Sequence, residues 1–226
     1  MKRGVIQMDN KNFLSWLAQR QMVYSILGLI YYEGPKDELV EALVSLELTG
    51  QIINSTGNSL VQEGWQQICA EVQGREKDLS YRDRLWDEYN QLFVGPGPLK
   101  APPWESVYRS KDRLVFGTET LAVRKFFQRF GLEVQQLNKE PDDHIGLELE
   151  FMAHLSQEAL AAFQSGEEAM DLIIGTEQFL REHLQQWVPG FCHRLEEVAG
   201  TGFFVGLAKM TRGWLEVDAE ILAQFE

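Results

Sequence analysis

Tyr89-Asn90-Gln91-Leu92-Phe93-Val94-Gly95-Pro96-Gly97-Pro98-Leu99-Lys100-Ala101-Pro102-Pro103-Trp104-Glu105-Ser106-Val107-Tyr108 is the stretch that decides how this chain reads. Four of the chain's seven prolines fall between positions 96 and 103. Each fixes φ and removes a backbone donor, so no helix continues through the segment. A stiff, extended piece of chain results, carrying a tryptophan with aromatic residues on either side. Such a segment suits recognition, because little conformational entropy remains to be lost on binding. It equally suits a rigid connection that packs Trp104 into a core.

Outward from this segment the periodicity is helical. Ser80 precedes a helix to about Phe93, with Asp83 in its first turn and Trp86, Tyr89 and Phe93 on one stripe. Further upstream, Phe13–Tyr32 reads as helix, stopped by Gly34-Pro35. Helices follow from Lys36 to about Leu48 and over 59–72, with a loop at 50–58 and a charged break at 74–78. Downstream, Thr118–Phe130 is bounded by Gly117 and Gly131. Residues 132–139 form a linker, after which Pro141 fits the first turn of a long helix reaching Phe163. In this reading Asp142 and Asp143 favour that helix start electrostatically. Ser165-Gly166 turns the chain into a helix broken by Pro189-Gly190, and shorter and longer helices follow over 191–199 and from 203 to the end. No strand alternation or repeat is visible, so the expected architecture is all-α, with about eight to ten helices. It forms a single domain over 1–226, divisible into lobes 1–131 and 140–226 at the linker. Hinge linkers permit lobes to exchange, which leaves monomer and swapped dimer both open.

Bulk composition narrows the function. The 226 residues suffice for a sizeable core, and 44% are hydrophobic. The formal charge is −13, from 34 acidic against 21 basic residues, which argues against nucleic acid and for a basic ligand or simple solubility. Two cysteines far apart, Cys69 and Cys192, fit a reducing compartment. Met1–Gln7 begins basic but lacks the apolar run of a secretory signal. The longest apolar run, Met22–Tyr32, falls short of the ~20 residues that span a bilayer, so stable membrane insertion is not expected. These features point to the cytoplasm.

Catalytic signatures are missing from the sequence. There is no GxxxxGK[ST], GxGxxG or GxSxG, and Gly95-Pro96-Gly97 offers few backbone donors to a phosphate. No HExxH occurs, and the positions three before each histidine hold Pro141, Phe151, Leu180 and Gly190. No metal site or cofactor is therefore expected. His144 stands out, because it follows Asp142-Asp143 and precedes Glu148 by four residues. Such a pairing could raise its pKa or orient its ring, and the same residues fit a capping cluster at a helix start.

Leu92-Phe93-Val94-Gly95-Pro96 with Ala101-Pro102-Pro103-Trp104-Glu105-Ser106-Val107-Tyr108 resembles the signature of the TorD/DmsD family of cytoplasmic chaperones for molybdopterin oxidoreductases. Glu140–Met152 is similar to that family's acidic-His motif, and Phe179–Pro189 to a third, weaker one. The likeness covers nearly the whole chain and implies a helical bundle that binds the twin-arginine signal peptide or the apo form of a catalytic subunit. It assigns that role to Asp143 and His144, with Tyr89, Leu92, Phe93, Pro103 and Trp104 as the apolar part and Glu105 and Tyr108 alongside. Tyr89 replaces a Trp of some members, and Glu105 a small residue of DmsD-like ones, so the subfamily and client stay open. Two alternatives accompany this expectation. One is weak guanine-nucleotide hydrolysis; the other is an assembly chaperone that grips the subunit without its signal.

Overall fold

Gly34 adopts φ +85° with Pro35 behind it, and the first helix, α1 (Asn10–Glu33), stops there. The computed structural model describes residues 10–45, 55–74, 80–110, 115–134 and 140–224. Residues 1–7, the end of the second expected helix at 46–48, most of the break at 74–78 and positions 135–139 of the linker lie outside them. After α1 come α2 (Asp37–Ser45), α3 (Ser59–Gly74), α4 (Tyr81–Tyr89), α5 (Glu105–Arg109) and α6 (Thr118–Arg129). The chain then forms α7 (Ile145–Ser165), α8 (Met170–Phe179), α9 (Gln185–Val198) and α10 (Gly202–Leu222). Among the described residues there is no strand, so the fold is all-α.

α1 packs along α7, and α3 along α10. Both contacts are close, and glycines face each other in each: Gly28 and Gly146 in the first, Gly64 and Gly206 in the second. A Cβ on Gly28 would lie 3.0 Å from the Gly146 carbonyl oxygen, and one on Gly146 would lie 2.9 Å from that of Gly28. Two glycines thus let α1 meet the first turn of α7 backbone to backbone. One cluster of buried side chains takes in residues from both sides of the linker. Phe126, Phe127, Phe151 and Phe179 interlock within it, with ring centroids 4.6–5.9 Å apart.

Arg20 of α1 is entirely buried in the same interior. It donates to both Asp218 oxygens of α10 at 2.6 and 2.8 Å, and to Ser156 of α7 at 2.9 Å. Tyr24 donates to Asp218 at 2.7 Å. A buried cation survives only with this degree of satisfaction, and the arrangement ties three helices together.

Two helix boundaries differ from the sequence expectation. Pro141 does not open α7; the helix begins at Ile145, with His144 as its N-cap. Asp142 and Asp143 are drawn into tertiary bonds instead of serving the helix start. Pro189 does not end a helix either, but lies inside α9. A π turn over Leu180–Leu184 joins α8 to α9 just before it, which places the irregularity beside the ring. Burial of Trp187, Val188, Phe191 and Cys192 then holds the helix together through the proline.

Candidate functional site

The proline segment leaves α4 through a second π turn, Asn90–Val94, closed by the Gly95 N–H donating to the Asn90 carbonyl at 2.7 Å. It then doubles back, with the Lys100 and Ala101 N–H groups donating to the carbonyls of Gln91 and Leu92 at 3.2 and 3.1 Å. Trp104 follows in extended conformation, φ −120° and ψ 134°. Its backbone pairs with His144 as an isolated antiparallel bridge. Ile145 N–H donates to Pro103 carbonyl at 2.8 Å, and Glu105 N–H to Asp143 carbonyl at 3.0 Å. The two sequence motifs are therefore one piece of backbone, though 40 positions separate Trp104 from His144.

Side chains lock this junction. Asp143 is fully buried; one oxygen accepts from Ser106 N–H at 2.8 Å, the other from the Thr120 hydroxyl at 2.7 Å. Asp142 accepts a bidentate pair of bonds from Arg124, the shortest 2.7 Å. His144 Nδ1 accepts from Gly146 N–H at 3.0 Å, so this histidine caps α7. Burial lowers its pKa to about 3, which keeps the ring neutral; the rise suggested by its proximity to carboxylates does not occur.

Beneath lies a row of buried polar groups. Glu105 bonds His183 Nδ1 at 2.9 Å and pairs with Arg109. Trp187 Nε1–H donates to Glu148 Oε2 at 3.0 Å. Glu148 has zero exposure, and its Oε1 accepts no hydrogen bond among the described residues. Desolvation, then the nearby charge of Glu105, push its pKa well above the carboxylate range.

Of the residues the sequence singled out, Tyr89, Leu92, Phe93, Pro103, Glu105, Asp143 and His144 are buried. Tyr89 donates its hydroxyl to the carbonyls of Tyr31 and Tyr32 at 3.0 and 3.1 Å, closing the C-terminus of α1. Trp104 and Tyr108 are partly exposed. Trp104 Nε1–H donates to Glu140 at 2.8 Å, and its ring stands 6.2 Å from His144. Tyr32 also meets that imidazole edge-on, at 5.4 Å.

Beyond Tyr32 the surface opens into a cavity of about 520 Å³ between α1, α7 and residues 132–134. Leu29, Phe127, Leu132, Val134 and Leu147 supply apolar wall. Glu33, Glu133 and Glu150 stand at the exposed rim, with His154 beside them, and among the described residues neither Lys nor Arg lines the cavity. Sequence reasoning missed these residues, because their walls come from helices more than a hundred positions apart. The available signal was Tyr32-Glu33 just before the Gly34-Pro35 stop.

Trp104 and Tyr32 thus stand beside an acid-rimmed cavity on an all-α scaffold, and no group of three or more His, Cys, Asp or Glu among the described residues could hold a metal ion. Residues 57–193 match the family described as the nitrate reductase delta subunit. The chain is 29% identical over 195 residues to the probable Tat proofreading chaperone DmsD of Haemophilus influenzae, covering 86% of this chain and 87% of that one. It is 24% identical over 204 residues to the chaperone protein TorD of Shewanella pealeana, covering 82% and 87%. A putative redox enzyme maturation protein from Archaeoglobus fulgidus shares the fold, with TM-score 0.52 and 19% identity over 88% of this chain and 94% of that one. The chain belongs to this family of TorD/DmsD chaperones; it is a chaperone and not an enzyme. No helix among the described residues is long and apolar enough to cross a membrane.

Proposed function

We propose that the protein is a cytoplasmic chaperone that binds the twin-arginine signal peptide of a molybdopterin oxidoreductase subunit and holds it until maturation is complete. The observation that carries this reading is Trp104. Its backbone is fixed by Pro103 before it and by the bridge to His144, while its indole remains partly exposed. An aromatic held in place at a surface is a ready anchor for an apolar ligand. Tyr108, partly exposed four residues on, packs its ring against the buried Trp187 and Phe191. Asp143, His144, Glu105, Pro103, Leu92, Phe93 and Tyr89 serve by holding that surface in shape, as their burial and mutual bonds support. The relatives' description as Tat proofreading chaperones agrees with it.

The test is Trp104→Ala, with peptide binding by calorimetry and unfolding in urea on one preparation. A loss of at least ~2 kcal/mol in peptide affinity with modest loss of stability is expected, as for anchoring aromatics. A variant that loses stability yet binds peptide as well as the wild type overturns the reading. A second reading, a chaperone that grips the subunit without its signal, draws on the delta-subunit description of the family. Capture of a signal-deleted subunit as efficiently as the full one would favour it.

A further inference from the structure

The cavity beside Tyr32 is not explained by the Trp104 anchor, because none of the nine residues of the resemblance lines it. Its size falls within the range of small-ligand sites, roughly 300–1,000 Å³. Its chemistry is one-sided. The inner wall is apolar, the rim holds three carboxylates, and among the described residues no Lys or Arg faces them from the lining. Glu33 pairs with Lys36 of the α1–α2 connection, an exposed contact that a better donor can displace. Among the described residues Glu150 and Glu133 have no ion pair. Glu140, Glu150 and Glu33 all lie close enough to Tyr32 to act on its phenol, so the negative field converges at the mouth. A lysine or arginine aliphatic stem can lie on Leu29 and Leu147 while its charged head reaches the rim. Arginine fits best, since its planar fork can bridge two carboxylates.

We propose that this cavity is the arginine subsite of the chaperone, with Glu150 and Glu33 receiving a guanidinium whose stem packs on Leu29 and Leu147. The inference rests on the signal-peptide reading and deepens it, dividing recognition into two places. The apolar run of the peptide lies on Trp104, and the arginine enters beyond Tyr32. The rings of Trp104, His144 and Tyr32 follow one another without a gap, so a few extended residues at roughly 3.3 Å each bridge the two places. Asp143 does not meet the arginine in this arrangement, because both its oxygens are already bonded in the interior.

The experiment compares wild type, Glu33→Gln, Glu150→Gln, the double variant and Trp104→Ala. Each is titrated with two synthetic peptides of equal length, one with two arginines before an apolar run and one with glutamines in their place. Both glutamates are exposed, so the variants should fold, as thermal melts will verify. The double variant should bind the arginine peptide about tenfold more weakly and bind the glutamine peptide as the wild type does. Its binding should also lose most of its dependence on salt. Undiminished affinity of the double variant for the arginine peptide, while Trp104→Ala loses it, overturns the subsite and leaves the wider function standing. A wild-type protein that binds neither peptide overturns the signal-peptide reading itself, and the subsite with it.

Discussion

Replacing Glu148 by glutamine should make the protein more stable, by an amount that grows with pH. The glutamate is fully buried, its Oε2 accepts from Trp187, and its Oε1 accepts no bond among the described residues. In the Glu148→Gln variant the amide oxygen would keep the acceptor for Trp187, and the side chain would carry no ionisable proton. In the unfolded chain a glutamate releases its proton near 4.5; in the folded protein burial and the charge of Glu105 hold it to higher pH. Between those two values the folded state carries the extra proton, so wild-type stability falls as pH rises. The fall is at most ~1.4 kcal/mol per pH unit, or about 2.7 kcal/mol over two units inside that window. His144 works in the opposite sense: its pKa of about 3 removes stability as pH falls below the ordinary value of 6.5. The difference between variant and wild type cancels that term. Urea unfolding of both proteins at pH 5, 6, 7 and 8, with equal m-values, should show the gap widening from pH 5 upward and levelling above the folded pKa. A constant gap across the series would mean that Glu148 is already ionised in the fold.

Three further outcomes follow from the geometry. Asp218→Ala should cost about 3–5 kcal/mol, because it strands the Arg20 guanidinium in the interior; chemical denaturation measures it, and a loss below about 1 kcal/mol would mean that water reaches Arg20. Gly146→Ala should destabilise by roughly 1–3 kcal/mol, since the new methyl meets the Gly28 carbonyl oxygen at 2.9 Å and Tyr32 Cβ at 2.7 Å; an unchanged melting temperature would show that α1 can retreat at no cost. Affinity for an arginine-bearing signal peptide should fall as salt rises from about 0.05 to 0.5 M, as screening shortens to a few ångströms; a flat response would remove electrostatics from recognition.

Glycine and proline made much of this fold legible. Gly34 and Gly166 end α1 and α7 with positive φ as their positions imply, and the proline segment is extended at Trp104. The stripe Trp86–Tyr89–Phe93 is real, with neighbouring rings 5.6 and 5.4 Å apart, and Tyr89 and Phe93 lie in the core. What stayed hidden depends on partners distant in sequence. Asp142 and Asp143 look like helix-start residues until Arg124, Ser106 and Thr120 claim them. Arg20 lies on the α1 stripe between Leu17 and Val23, so its burial is implied by period, but nothing local names Asp218 as the reason a charge can sit there. The start of α7 falls later than the sequence suggests for a related reason: Pro141 has the right φ for a first turn, but the bridge to Trp104 holds residues 142–144 out of the helix.

The bridge between Trp104 and His144 also bears on how such chaperones can be rebuilt. Ile145 N–H answers to Pro103, Glu105 N–H to Asp143, and the Asp143 carboxylate to Ser106 and Thr120. A transplant of residues 101–106 from a relative with another client would arrive without its matching half. Specificity would then appear to be lost when only the fit between donor and host had failed. Exchanging 101–106 and 140–146 together with Thr120 and Arg124 moves the whole clasp, and chimeras built that way would report which client each half prefers.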